Sequence, residues 1–127
     1  RIGGHVVIND YAIIGGGTLV HQFSKIGAHS MIGGGSLVRK DVPPYCKAGK
    51  DPLSFRGVNS IGLKRRNFSR KEINQIQNIY RIIYLEGRNT SQALDKIQSD
   101  IKDSKEKMTV LDFINNSERG IIKGLFD

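Results

Sequence analysis

"IGGHVVINDYAIIGGGTLVHQFSKIGAHSMIGGGSLV" occupies residues 2–38. Within it Ile2, Ile8, Ile14, Val20, Ile26, Ile32 and Val38 fall six residues apart without a slip. Four residues after each comes a mostly small side chain: Val6, Ala12, Thr18, Ser24, Ser30, Ser36 and Val42. Gly3, Gly15, Gly27 and Gly33 directly follow four of the aliphatic residues. A period of six matches neither the roughly 3.6 residues of a helical turn nor plain strand alternation. It does match short strands separated by bends at a fixed place. The aliphatic residue then points inward, the small residue occupies the tight corner, and glycine admits unusual backbone angles. Three hexapeptides close a triangular coil of 18 residues, and stacked coils make a parallel β-helix.

Forty-two residues supply little more than two coils, and solenoids generally need about three or more repeats to bury a continuous core. The chain also starts at Arg1 inside the pattern. More coils are therefore expected before it.

The repeat is expected to end in "DVPPYCKAGKDP", Asp41 to Pro52. Pro43 and Pro44 cannot donate ladder hydrogen bonds, so stacking should stop there. The sequence divides into hexapeptide coils over 1–42, an irregular basic connector over 43–68, and an α-helical domain over 69–127. In the last, "SRKEINQIQNIYRIIYLEG" reads as a helix with Ser69 as N-cap and Glu72 as its capping-box partner. Ile73, Ile76, Tyr80 and Ile83 form its apolar stripe, and Gly87 is a suitable stop. A second helix is expected over Ser91–Lys102 and a short third over Val110–Asn115.

The net charge of +8 is local. Residues 47–71 hold eight Lys or Arg against one Asp, whereas residues 72–127 are close to neutral. Such a patch attracts phosphates or an acidic partner. "GVNSIGLKRRNFSR", Gly57 to Arg70, puts three consecutive cations after Asn59, and arginine is suited to bidentate phosphate contacts. A nucleic-acid surface or a merely solvated patch are the other readings; the stretch lacks interleaved aromatics and any recognised nucleic-acid motif.

Metal and nucleophile chemistry find little support. His5, His21 and His29 form no HxxH or HExxH spacing. Cys46 is the single cysteine, so no internal disulfide or CxxC site is possible, and a reducing, cytoplasmic setting is expected. "IIGGGTL" and "MIGGGSL" lack a P-loop lysine and follow the six-residue register, so corners explain them better than phosphate loops. No run approaches the roughly 18 apolar residues of a membrane span. With an 18-residue coil, His5 lies beneath Phe23 and near His21 at one corner, while His29 belongs elsewhere and reads as solvated or structural.

The combination of "GGHVVINDYAIIGGGTLVHQFSKIGAHSMIGG", "DVPPY" and "GVNSIGLKRRNFSR" followed by helices resembles the C-terminal half of the UDP-N-acetylglucosamine O-acyltransferases of lipid A biosynthesis. The resemblance implies a left-handed prism, although the general crossover rule favours the opposite hand. It implies transfer of a (3R)-3-hydroxyacyl chain from acyl carrier protein to the 3-hydroxyl of UDP-N-acetylglucosamine, by a homotrimer with its sites in clefts between prisms. No cofactor or metal is implied. His5, His21 and Gln22 would line the sugar-nucleotide side, with Asn59, Arg65 and Arg66 toward the uridine diphosphate. The Gly4 backbone N–H would be the oxyanion donor and Gly34 the acyl-length ruler. The family's general-base histidine would lie about one coil before Arg1, so this stretch alone should be inactive. Another hexapeptide enzyme, either an N-acyltransferase of the same pathway or a coenzyme A-dependent acetyltransferase, is an alternative. A non-catalytic trimeric scaffold is a third.

Overall fold

The computed structural model describes residues 4–124. Six two-residue strands come first: β1 (Val7–Ile8), β2 (Ile13–Ile14), β3 (Leu19–Val20), β4 (Lys25–Ile26), β5 (Met31–Ile32) and β6 (Leu37–Val38). They pair in parallel as β1–β4, β2–β5 and β3–β6, with Val7 opposite Lys25, Ile13 opposite Met31 and Leu19 opposite Leu37. The offset is 18 residues in each pair, so three faces stack coil on coil.

The inward positions are as the period requires. Val20, Ile26, Ile32 and Val38 are buried, as are Thr18, Ser24, Ser30 and Ser36 two residues before them. Each fully buried aliphatic side chain contributes roughly 1.5–3 kcal/mol relative to exposure. Ser30 Oγ donates to the Gly27 carbonyl and Ser36 Oγ to the Gly33 carbonyl, whereas the buried Ser24 Oγ has no hydrogen-bond partner among the described residues.

The backbone bends three residues after each aliphatic position, one before the small residue expected to occupy the corner, which from Thr18 onward lies buried in the interior instead. Positive φ falls at His5, Tyr11, Gly17, Phe23, His29 and Gly35. The glycines that directly follow the aliphatic residues serve close approach instead. A Cβ on Gly15 would lie 2.4 Å from the Gly34 nitrogen, and one on Gly27 would lie 2.4 Å from the Pro44 nitrogen.

Stacking does not end at the two prolines. Val42 still bridges Ile26, and β7 (Cys46–Gly49) pairs in parallel with β5. Pro43 and Pro44 occupy the corner between them. The flanking bonds, Gly27 N–H to the Val42 carbonyl and Tyr45 N–H to the Ala28 carbonyl, make a proline donor unnecessary there. The coil loses two residues just before this corner, between Val38 and Val42, so Ile26 meets Val42 and Met31 meets Lys47 at an offset of 16.

The segment expected to be irregular is thus ordered. It contains β7, β8 (Ser54–Val58), which pairs antiparallel with β7, and the short helix α1 (Ser60–Arg65). α1 is only one and a half turns, too brief for periodicity to reveal.

Three longer helices follow: α2 (Arg70–Tyr84), α3 (Thr90–Asp100) and α4 (Lys105–Asn115). The Ser69–Glu72 capping box forms in both directions, and Ile73, Ile76, Tyr80 and Ile83 are buried. Asn89 and Gln92 make a second capping box that starts α3 one residue before Ser91. α4 begins at Lys105 rather than Val110, because Ser104 caps it by accepting from the Lys107 N–H. Phe55 of β8 stacks on Tyr84 of α2 at 4.4 Å and on Tyr80 at 5.3 Å. The Tyr80 hydroxyl reaches back to the Pro44 carbonyl. The chain then returns to the prism, where Ile121 bridges Asp41 and Lys123 bridges Ser54.

Candidate functional site

The three faces meet at three corners. Residues 9–11, 27–29 and 43–45 turn from the β1–β4 face to the β2–β5–β7 face. Residues 15–17 and 33–35 turn from there to the β3–β6 face, and residues 4–5, 21–23 and 39–40 turn back to β1–β4. The residues singled out in the sequence distribute over all three corners.

Gly4, His5, His21 and Gln22 share the third corner, and all four are exposed. His5 stacks on Phe23 of the next coil, with ring centres 5.6 Å apart, as the coil length required. The His21 Nδ1 lies 3.0 Å from the Gln22 carbonyl. A carbonyl can only accept, so Nδ1 carries a proton in that contact. An added Cβ on Gly4 would meet nothing within 4 Å, so a ligand has access to the backbone there.

Asn59, Arg65 and Arg66 belong to the first corner. Asn59 is buried: its Nδ2 donates to the His29 carbonyl at 3.0 Å and its backbone N–H to the Tyr45 carbonyl at 2.7 Å. It ties α1 to the prism. Arg65 is exposed at the end of α1, whereas Arg66 is half-buried, with its guanidinium 5.4 Å over the Tyr11 ring. Lys64 and Arg65 also fall in the last turn of α1, where cations suit the carbonyl end of a helix. A hollow of about 320 Å³ lies alongside, lined by Ile61, Lys64, Phe68 and Arg70 among others.

Gly34 stands at the second corner. A Cβ on it would meet the Gly16 carbonyl oxygen at 3.1 Å, so any side chain there would crowd the coil below.

Two residues gain definition from the structure. His29 is half-buried, stacked between Tyr11 at 4.9 Å and Tyr45 at 5.8 Å, with Phe68 edge-on at 5.0 Å. Burial lowers its pKa below the ordinary imidazole value, assisted by the charges of Arg66 and Lys105 and opposed by Asp10. The 18-residue spacing from Tyr11 to His29 was the signal that could have revealed this stack. Cys46 is fully buried and donates to the Pro43 carbonyl, and burial pushes its thiol far up. It is an inert interior group.

No single prism can bring its three corners together, so these residues meet only if copies of the chain stand side by side.

The family model described as UDP N-acetylglucosamine O-acyltransferase, domain 2, matches residues 41–122. The chain belongs to this family. Among curated relatives, the acyl-[acyl-carrier-protein]–UDP-N-acetylglucosamine O-acyltransferase of Thiobacillus denitrificans is 42% identical over 122 residues, 96% of this chain and 47% of that protein. The crystal structure of a UDP-N-acetylglucosamine acyltransferase from Bacteroides fragilis superposes with TM-score 0.91 at 49% identity, covering 93% of this chain and 46% of that one. The Francisella novicida UDP-N-acetylglucosamine acyltransferase gives TM-score 0.92 at 36% identity, with 98% and 46% covered. The chain therefore spans about half the length of the relatives it matches. Their likeness supports a hexapeptide-repeat β-helix over the stacked coils.

Proposed function

We propose that the longer protein to which this chain corresponds transfers a (3R)-3-hydroxyacyl group from acyl carrier protein to the 3-hydroxyl of UDP-N-acetylglucosamine, the first step of lipid A biosynthesis. The observation that carries this reading is the family match across residues 41–122, which includes the turn from Asn59 to Arg66. The prism is left-handed and three copies assemble, with the third corner of one copy facing the first corner of its neighbour. The helical residues 69–127 form the C-terminal domain of each copy.

Exposed apolar residues support the trimer. Val7, Ile13, Leu19, Met31 and Leu37 point outward and are each 40–50% exposed, on all three faces. A stripe of that kind on a monomer marks a surface that another copy can cover.

In the resulting cleft, His5, His21 and Gln22 contact the sugar nucleotide, and Arg65 and Arg66 contact its diphosphate. The Gly4 N–H stabilises the tetrahedral oxyanion formed when the sugar oxygen attacks the thioester. The general base is supplied by sequence upstream of Arg1, and neither a metal nor a covalent enzyme intermediate takes part. Gly34 leaves the acyl groove open at its far end. The basic surface of residues 47–71 raises the encounter rate with the acidic carrier protein. The reaction belongs in the cytoplasm; among the described residues no helix is long and apolar enough to cross a membrane.

The test uses full-length protein with 3-hydroxyacyl carrier protein and two acceptors, UDP-N-acetylglucosamine and its 3-O-acylated 2-amino derivative. Product from the first acceptor alone supports the O-acyltransferase. Product from the second alone identifies an N-acyltransferase, and none from either favours a scaffold. Reversing charge at Lys64, Arg65 and Arg66 together should raise KM for both substrates by about tenfold or more, and unchanged values would remove these cations from the site.

A further inference from the structure

The first corner carries a structure that the proposed reaction does not by itself explain. Tyr11, His29 and Tyr45 occupy equivalent positions on successive coils, all with positive φ, and their rings form a stack. His29 is fixed from the backbone as well: its N–H donates to the Asp10 carbonyl at 3.0 Å, and its carbonyl accepts from Asn59. The imidazole has almost no freedom to turn, and its Nδ1 faces the Arg66 Nη1 at 3.5 Å.

An arginine has only donors to offer. Nδ1 must therefore be the acceptor and the His29 proton must sit on Nε2. A protonated ring would instead repel the guanidinium. Burial and the charges of Arg66 and Lys105 oppose protonation, and Asp10 alone favours it. Tyr11 holds the face of the same guanidinium at 5.4 Å. The two contacts fix a long, flexible side chain by its face and by one of its five N–H groups, leaving the rest for a ligand.

We propose that His29 is a positioning residue: as a neutral imidazole clamped between Tyr11 and Tyr45, it holds the Arg66 guanidinium ready to receive a nucleoside diphosphate. This rests on the reading that Arg66 grips the diphosphate of the sugar nucleotide. Pre-ordering the guanidinium lowers the conformational entropy that binding must otherwise remove. Arg65, exposed on α1, has no such frame, so Arg66 carries the larger share of phosphate recognition.

The experiment measures kcat and KM for UDP-N-acetylglucosamine on the full-length enzyme. The variants are Arg66→Ala, His29→Phe, His29→Gln, Tyr11→Leu and the double His29→Phe/Arg66→Ala. Phenylalanine already occupies the equivalent backbone conformation at Phe23, so His29→Phe keeps a ring and the turn while losing the acceptor. His29→Phe should raise KM about tenfold with kcat changed less than about twofold, an effect of the size expected for a lost hydrogen bond to a charged group. His29→Gln, which retains an acceptor oxygen, should recover most of the loss. The double variant should be no worse than Arg66→Ala, since the two residues act as one unit.

An unchanged KM in His29→Phe beside a raised KM in Arg66→Ala would overturn the positioning role. So would full additivity in the double variant, or a His29→Gln no better than His29→Phe. An unchanged KM in Arg66→Ala would instead overturn the diphosphate reading itself. Should His29→Phe fail to assemble, Tyr11→Leu carries the test. It leaves His29 in place and should raise KM severalfold without adding to Arg66→Ala, and an unchanged KM would overturn the frame.

Discussion

Gly27 and Gly16 show how unequal two glycines of one motif can be. At Gly27 the next coil's backbone passes so close that a methyl group would sit 2.7 Å from the Pro43 carbonyl carbon, and neither proline can move without breaking the corner. At Gly16 there is nothing within 4 Å. In the full-length protein Gly27→Ala should cost roughly 1–3 kcal/mol or more, the range of forced overpacking. Gly16→Ala should stay within about 0.5 kcal/mol of the parent. Denaturant midpoints of the two variants make the comparison, and equal midpoints would mean that coil spacing adjusts freely. The residue scale is also where the sequence reading was least complete. The six-residue period showed which side chains point inward, but the identity of the bend position depends on φ. His5, Tyr11, Phe23 and His29 adopt a conformation usually associated with glycine, so the bend falls on large side chains rather than on the small residue that follows each of them.

Elements are held by a few bonds at their ends. Lys107 is buried, with its side chain 4% exposed, yet its Nζ donates to the carbonyls of Gln98 and Ile101 at 3.2 and 2.7 Å and to Asp103 at 2.9 Å. It closes the last turn of α3 from the first turn of α4. Lys107→Met preserves the stem and removes the donors to the Gln98 and Ile101 carbonyls, and should cost about 1.5–3 kcal/mol, the range for hydrogen bonds to a charged group. Thermal unfolding of the full-length variant checks this, and an unchanged midpoint would show that water replaces the ammonium. Asp41 does comparable work at the end of the prism, accepting from the Lys25 N–H and from the Ser117 hydroxyl. α2 was legible from its capping box and stripe and α3 from its apolar spacing, while the Asn89–Gln92 box that sets the start of α3 was not read. β7, β8 and α1 were not: β7 continues the coils across two prolines after the two-residue loss between Val38 and Val42, β8 runs antiparallel outside the period, and α1 is too short to show one.

At the scale of the whole molecule, the candidate residues occupy different corners of one prism. His5 and His21 stand at the third, Asn59 and Arg66 at the first, and Gly34 at the second. The sequence made the faces and the pairing of His5 with Phe23 readable, since both follow from an 18-residue coil. In the proposed trimer a neighbouring copy assembles the corners, and a single chain's periodicity is silent about that. The central claim is therefore that the cleft lies between subunits, and mixed trimers test it most directly. Co-expressed full-length His5→Ala and Arg66→Ala proteins, each impaired alone at UDP-N-acetylglucosamine concentrations well below KM, form trimers in which one cleft takes His5 from one subunit and Arg66 from its neighbour, both unaltered. The account predicts recovery of about one third of wild-type activity per mixed trimer, as threefold symmetry requires. Activity no higher than the sum of the two parents, with mixed trimers verified by native mass spectrometry, would contradict it.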